Sequence, residues 1–314
     1  MKNAQASKTG EAGARIQHPL RGIALLMVAL LFLAALDATS KHLSRTTPLP
    51  LMLWVRYSVH CVLMIALLAP SMRMRLLVTR RPVTQFVRSM LTLAISLLLY
   101  AAFRVMPLAE TTAIIYMSPL FVVLLAGRWL HERVGLGRWL AVLAGFAGAL
   151  LIARPGAALS AYGTMLSLAA ALCLAIYQIL TRQISATEST ATSVFYTALG
   201  GTVIMTVALP WLWAGPWPSS FDMWLLVSLG AYAAVGHYLI IAALGHAPAS
   251  LLSPLYYVQL IWATLLGWQI FDHVPDLLSI VGMLIVSGSG LAVLLIERRR
   301  TAIAKAQLAA LAPD

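Results

Sequence analysis

Charged residues are scarce in this chain, at 10% of its 314 residues. A soluble domain has about 25% charged residues. Hydrophobic residues supply 61% of the chain, and the mean hydropathy is +0.87. This composition excludes a soluble globular protein and indicates an integral membrane protein.

Acids are rarer than bases, with ten Asp and Glu against 22 Lys and Arg. The resulting formal net charge of +12 could suggest a nucleic-acid partner. The bases, however, fall between apolar runs, where they report membrane topology and contact with anionic lipid. We therefore expect membrane lipid, and no nucleic acid, as a partner.

Cysteine is also rare, and both residues, Cys61 and Cys173, lie inside apolar runs. A disulfide or a metal site is therefore not expected. The sequence has no phosphate-binding loop, no dinucleotide-binding glycine pattern, no zinc-ligand spacing and no recognisable catalytic spacing. We expect no cofactor, no enzymatic activity and no transport driven by ATP from this chain alone.

Long apolar runs make up most of the chain, and a membrane span needs about 20 mainly apolar residues. Ten such runs occur, and the first is not followed by a small-residue cleavage site, so it is read as an uncleaved helix. They are residues 21–43, 51–69, 87–104, 109–127, 138–154, 161–181, 191–213, 223–243, 249–271 and 277–296. The prediction is an all-α integral membrane protein with ten transmembrane helices.

The positions of Lys and Arg set the orientation. With the amino terminus in the cytoplasm, 17 of the 22 bases fall on the cytoplasmic side. An odd number of spans would scatter them. We expect a multi-pass protein of the bacterial inner membrane with both termini in the cytoplasm.

The two halves of the chain resemble each other. The segment from Arg21 aligns with the segment from Tyr162, so that Asp37 meets Gln178. The segment from Ala109 aligns with the segment from Ala249, and there Tyr116 meets Tyr256. Several matches at an offset of 140 or 141 residues indicate a duplication.

Each half contains five spans, an odd number, so the second copy must cross the membrane in the opposite sense. Such inverted five-helix repeats are common in secondary transporters, whose substrate sites lie near the midplane between the repeats. The predicted boundaries are an amino-terminal tail at 1–19, a first repeat at 20–156, a second repeat at 160–297 and a carboxy-terminal tail at 298–314. The pattern favours a transporter that works by alternating access.

Four features of the chain resemble a known family. They are the two five-helix repeats, a basic residue near the outer end of the first helix, the "WVRY" of the second and the paired segments from Ala109 and Ala249. With these features the chain resembles the EamA-type branch of the drug/metabolite transporter superfamily. The resemblance covers about residues 20–297, and the family's usual Glu is Asp at position 272. It implies a ten-helix bundle with a central cavity lined by both halves. It also implies a small organic substrate, because members of the family export amino acids and other metabolites or take up small organic compounds.

Asp37 and Lys41 stand one turn apart near the outer end of the first span, and Arg56 lies at the level of Asp37 in the second. An ionisable residue in a span costs at least about 2.5–3.5 kcal/mol at the helix centre on insertion scales, so it needs a partner or water. Lys41 is near enough to the helix end to snorkel into the headgroups. Asp37 and Arg56 could form an ion pair that joins the first two helices, or the three charges could form a gate or bind a charged group.

Polar and aromatic residues inside the spans are the candidates for substrate binding. In the fourth and ninth spans these share one helical face, and Pro119 is expected to loosen the fourth helix there, because proline removes a backbone donor. Few polar groups among aromatic walls suit a polarised, planar organic molecule. The candidates are Tyr100, Thr112, Tyr116, Tyr177, Gln178, His237, Tyr256, Gln259 and Trp262.

The leading functional hypothesis is export of amino acids or related metabolites. The alternative is uptake of a vitamin-like, nucleoside-like or other planar metabolite by the same fold. An integral membrane enzyme needs acids or histidines clustered at one membrane face, and here the acids are scattered. Titration of Asp37 is one way to couple transport to protons, and both a monomer and a homodimer are compatible with the sequence.

Overall fold

The computed structural model describes residues 19–129, 136–153, 160–185, 187–212 and 217–310. The predicted amino-terminal tail, the loop that contains Glu132 and the last four residues lie outside this part. Within it the chain forms α-helices and short 3₁₀ helices and no β-strand. The α-helices are α1 (Pro19–Leu43), α2 (Leu49–Met72), α3 (Pro82–Val105), α4 (Leu108–Ile115), α5 (Ser118–Trp129), α6 (Leu136–Ala153), α7 (Ala161–Ile184), α8 (Thr190–Leu212), α9 (Ser220–His246), α10 (Ala249–Leu252), α11 (Val258–Phe271) and α12 (Leu277–Ala310). The 3₁₀ helices are Arg73–Leu77 and Ser253–Tyr257.

Eight helical segments in the described part are long and apolar enough to cross a membrane, and one of them, Leu108–Leu125, combines α4 with α5. Two shorter apolar helices, Trp139–Ile152 and Leu255–Phe271, supply the other two spans. The ten segments coincide in order with the ten predicted spans, which confirms the all-helical membrane fold. The main difference is at the end, where α12 continues to Ala310, beyond the predicted end of the last span at 296.

The helices begin where the sequence supplies residues that suit a first turn. Proline, whose missing N–H is not needed there, occupies the first turn of α2 and is the first residue of α3. Ser160 and Ser219 cap α7 and α9, each accepting a hydrogen bond from a backbone N–H three residues later.

The packing of the helices follows the inverted repeat. The first helix of each repeat packs on the third helix of the other repeat, as α1 on α9 and α7 on α3. The second helices, α2 and α8, pack on each other, and so do the last helices, α6 and α12. The exchanged and self-paired contacts are those expected when two copies are related by a pseudo-two-fold axis in the membrane plane.

Two glycines bring α6 and α12 into backbone contact. A Cβ on Gly148 would lie 2.8 Å from the carbonyl oxygen of Gly282, and one on Gly282 would lie 2.6 Å from the carbonyl oxygen of Gly148. Residues without a side chain let two membrane helices approach each other this closely.

The fourth and ninth spans are both interrupted at repeat-related positions. Between α4 and α5 the chain leaves the α-helix at Tyr116 and Met117, and the Met117 amide bonds to the carbonyl of Ile114, three residues back. Pro119 explains the break, because it has no amide for the carbonyl of Ile115 and its ring crowds that carbonyl. In the second repeat the 3₁₀ helix Ser253–Tyr257 separates α10 from α11. Interrupted spans in corresponding positions of two inverted repeats are the best indicator of a transporter's binding site.

Candidate functional site

The centre of the site is a hydrogen-bonded chain of three side chains at the interrupted spans. Gln259 donates its amide Nε2–H to Asp37 Oδ2 over 3.0 Å. Tyr116 donates its hydroxyl to Gln259 Oε1, also over 3.0 Å. One amide therefore joins the first and fourth spans of the first repeat to the ninth span. The structure brings these three predicted residues together, and Asp37, which is partly buried, has the partner that an acid inside a span requires.

Aromatic rings adjoin this chain. The rings of Tyr116 and Tyr257 lie with their centroids 5.3 Å apart at an angle of 43°. Tyr256 is within electrostatic range of both Tyr116 and Tyr177. Aromatic residues of both repeats therefore meet beside the Asp37 carboxylate, as the sequence predicts. Aromatic pairs prefer such tilted or offset contacts.

Arg56 lies in a second polar group, next to the first. Its guanidinium donates to Ser96 Oγ, and its centre lies 5.0 Å from the ring centroid of Tyr57 and 5.7 Å from that of Tyr100. Among the described residues no salt bridge within 4.0 Å joins Arg56 to Asp37, although the two charges interact at longer range. The structure therefore does not show the hypothesised direct ion pair, because each charge has a neutral hydrogen-bonding partner.

Several buried polar atoms in these two groups have no hydrogen-bond partner within the described chain. They are Arg56 Nε, Tyr100 Oη, Tyr257 Oη and Trp262 Nε1. A buried donor without a partner costs about 1–3 kcal/mol, so such atoms are rare and require an explanation. All four belong to residues around the interrupted spans or the Arg56 group.

Lys41 differs from the expectation that it snorkels into the headgroups. It is only 4% exposed, and its Nζ donates to the carbonyl oxygens of Phe103 and Met106. The ammonium also lies 5.4 Å from the ring centroid of Phe271. The carbonyls at the end of α3 have no partner in their own helix, and a cation satisfies them. Lys41 therefore joins the ends of α1, α3 and α11.

These ends lie on the side where α1 ends, which we call the outer side after the predicted orientation. There His273 Nε2 lies 2.9 Å from Glu110 Oε1, with Glu110 2% exposed. Asp272 ends α11 in a left-handed conformation, with φ of 52°, and His273 is the first residue after this turn. Arg104 donates to the carbonyls of Ser44 and Thr47. On this side the Glu110–His273 contact joins the two repeats, and the Arg104 contacts join segments of the first repeat.

The remaining candidates lie apart from the central chain. Thr112 is buried and donates to Leu108 O in its own helix. Gln178 is exposed and donates to Ser118 Oγ over 3.4 Å. Tyr177 accepts a hydrogen bond from Arg88 at 2.9 Å. The structure therefore gives Thr112 and Tyr177 partners within the helix bundle.

Sequence reasoning missed three polar features. Arg88, counted as a cytoplasmic base, is 1% exposed and joins α3 to α7 through Thr181 and Tyr177. Glu110 was read only as a helix-end acid. His60 stacks on the candidate His237. For His60 a signal was present, since it stands one helical turn after Arg56 and thus on the same face of α2.

The described residues contain no group of three or more His, Cys, Asp or Glu side chains placed to hold a metal ion. The fold and the site together define a polytopic membrane transporter.

Comparisons with known proteins agree. The model of the EamA-like transporter family matches residues 20–154 and again residues 161–296. The chain belongs to this family, whose members include transporters of the drug/metabolite type.

The chain is 30% identical to a riboflavin transporter of Vibrio cholerae over 265 residues, which cover 82% of this chain and 87% of that protein. It is 26% identical to the pseudopaline exporter CntI of Pseudomonas aeruginosa, over 84% of this chain and 93% of the exporter. It is 22% identical to an S-adenosylmethionine uptake transporter of Rickettsia conorii, over 89% and 94%. A solved crystal structure superposes with a TM-score of 0.62 at 18% identity, covering 88% of this chain and 98% of its own, and supports the fold alone.

Proposed function

We propose that this protein transports a planar heteroaromatic metabolite, of the chemical kind of a flavin or a nucleoside, by alternating access. The observation that carries the proposal is the Asp37–Gln259–Tyr116 chain between the two repeats, with the Tyr257 ring against Tyr116. An amide, a carboxylate and a phenol next to one another offer both donors and acceptors to the edge of a heteroaromatic ring. The unpartnered Tyr257 hydroxyl and Trp262 indole N–H add donors beside it.

The names of the relatives also support a heteroaromatic substrate. One of them is named for riboflavin and another for S-adenosylmethionine, and both compounds contain a flat heteroaromatic ring. This reverses the order of the hypotheses drawn from the sequence, where export of amino acids came first. The location between two interrupted spans supports alternating access, because each repeat can rock against the other around a fixed site.

Export of an amino-acid-like zwitterion is the second candidate. The observation that favours it is the proximity of one acid, Asp37, to one base, Arg56, which would suit an ammonium and a carboxylate. The pseudopaline exporter among the relatives agrees with export. In this case Arg56 Nε, buried and unpartnered, would bind the carboxylate.

A transport panel in proteoliposomes tests the proposal. Riboflavin, S-adenosylmethionine, a nucleoside and several amino acids are offered in counterflow, with the solute inside or outside. We expect a heteroaromatic compound to move with the parent protein and to move at least tenfold more slowly with Tyr116→Ala and Gln259→Ala. Gln269→Ala, at an exposed position on the same helix, is the matched control. If only amino acids move, the second candidate replaces the first; if no solute moves, both fail.

A further inference from the structure

Two histidine rings are stacked inside the membrane-spanning part of the bundle. His60 on α2 and His237 on α9 have ring centroids 5.2 Å apart and planes inclined by only 20°. His60 is 2% exposed, and neither of its ring nitrogens has a hydrogen-bond partner in the described chain. His237 Nδ1 lies 2.7 Å from the carbonyl of Ala233 and therefore carries the proton, which leaves Nε2 with a free lone pair.

This arrangement is unfavourable if its purpose is packing alone. A neutral imidazole has one N–H donor, and burying that donor without a partner costs about 1–3 kcal/mol. A phenyl ring would fill the same space and stack as well without this cost. An ionisable residue inside the membrane is by default a functional-site hypothesis.

The charged groups around the rings connect them to the transport site. Arg56, one turn from His60 on α2, acts electrostatically on both rings. Asp37 on α1 acts in turn on Arg56, and Tyr100 on α3 lies against the same guanidinium. Helix α8, which also packs on α2, contains neither an acid nor a base in its sequence, and the acid and the other histidine of α9, Asp222 and His246, lie at its ends. Arg56 therefore interacts with both the imidazole pair and the Asp37 carboxylate.

We propose that the His60–His237 pair is a proton-binding site that couples movement of the solute to movement of one proton. The proposal rests on the transport function proposed above. A free ring nitrogen accepts a proton from hydronium on one side of the membrane, an N–H bond forms and water is released. After the repeats have rocked, the same N–H bond breaks and the proton passes to water on the other side. No other bond changes, and one positive charge crosses with each cycle.

Only one proton is held at a time, because two adjacent imidazolium rings beside Arg56 would repel each other. The proton communicates with the solute through charge. A second positive charge beside Arg56 changes the interaction between Arg56 and Asp37. The strength with which the Asp37 carboxylate binds Gln259 and the ligand changes as a consequence. Protonation and solute binding are thereby linked, and the link is reciprocal.

The test separates proton coupling from transport itself. In proteoliposomes, counterflow of the transported compound needs no net proton movement, whereas accumulation driven by an imposed pH gradient does. The variants are His60→Phe, which keeps a stacked ring but holds no proton, and His237→Asn. His42→Asn, at an exposed position near the end of α1, is the control.

The pH gradient is imposed in one direction and then in the other. In one of these directions we expect the parent and the control to accumulate the compound against its concentration gradient. His60→Phe is expected to lose at least nine-tenths of that accumulation while retaining counterflow within about threefold, and His237→Asn is expected to lose the accumulation as well. Two results overturn the proposal: a parent protein whose transport ignores the pH gradient, or a His60→Phe variant that still accumulates fully. Absence of counterflow in the parent would instead refute the proposed transport function.

Discussion

The amide of Gln259 and the carboxylate of Asp37 lie 3.0 Å apart, across 222 residues of sequence. Gln178, the counterpart of Asp37 in the second repeat, contacts Ser118 at 3.4 Å, next to Pro119, the counterpart of Gln259. In each case the first helix of one repeat contacts the fourth helix of the other. The two contacts differ in one respect, because only the first contains a charge. The pseudo-symmetry of the fold is therefore broken where the acid lies.

The first prediction concerns Asp37. Asp37→Asn keeps the size of the side chain and can still accept the Gln259 hydrogen bond, but it removes the negative charge. A hydrogen bond to a charged group contributes about 1.5–3 kcal/mol, against about 0.5–1.5 kcal/mol for a neutral pair. We expect the transport rate to fall about tenfold at unchanged protein level, measured by counterflow. Unchanged transport would show that the charge is not required.

The second prediction concerns the space around Tyr257. A Cβ on Gly290 would lie 1.5 Å from the Tyr257 hydroxyl oxygen, whereas one on Gly288 would meet nothing within 4 Å. Gly290→Ala should therefore displace the Tyr257 ring and lower transport at least fivefold, and Gly288→Ala should not.

The same clash supplies a rescue experiment. Tyr257→Phe removes the nearest atom but leaves the ring carbon Cζ, which would lie 2.6 Å from the added Cβ. The double variant Gly290→Ala/Tyr257→Phe should therefore unfold in detergent at a higher temperature than Gly290→Ala alone, and equal temperatures would mean that α12 and Tyr257 are not packed as described.

The third prediction concerns the outer contact between Glu110 and His273. His273 Nε2 lies 2.9 Å from Glu110 Oε1, and this contact joins the two repeats on the outer side. Glu110→Gln and His273→Gln should each weaken it and increase labelling of a cysteine placed at Leu108, which is 1% exposed, by a membrane-impermeant thiol reagent. Equal labelling of the parent and both variants would argue that this contact does not hold the repeats together.

The fourth prediction concerns Lys41. Lys41→Met keeps the aliphatic stem but leaves the carbonyls of Phe103 and Met106 without their cation. Removing hydrogen bonds from a charged group costs about 1.5–3 kcal/mol each, so the free energy of unfolding should fall by a few kcal/mol. Thermal unfolding in detergent should show a lower midpoint for Lys41→Met than for Arg45→Met, whose residue is exposed. A midpoint equal to that of the parent would indicate that the carbonyl contacts do not stabilise the fold and that Lys41 contacts the lipid headgroups instead.

The sequence predicts the helical fold well because length and hydropathy decide which segments span a membrane. It also predicts the break before Pro119, because the cause is local. It fails for Lys41, since the carbonyls that bind its ammonium belong to residues 62 and 65 positions away and leave no local pattern. The stacking partner of His60 lies on another helix, and a single histidine in an apolar run does not reveal it. The residues of the candidate site can therefore be predicted from the sequence, whereas the contacts between them cannot.

The most direct measurement of the central claim is the equilibrium affinity of the purified protein for the compound that it transports, compared among three proteins. These are the parent, Gln259→Ala and the exposed control Gln269→Ala. Gln259 holds both Asp37 and Tyr116, so its removal leaves an unpaired carboxylate and an unpaired phenol. The account predicts an affinity at least tenfold weaker for Gln259→Ala and within twofold of the parent for Gln269→Ala. Equal affinity of all three proteins would contradict a binding site at this position.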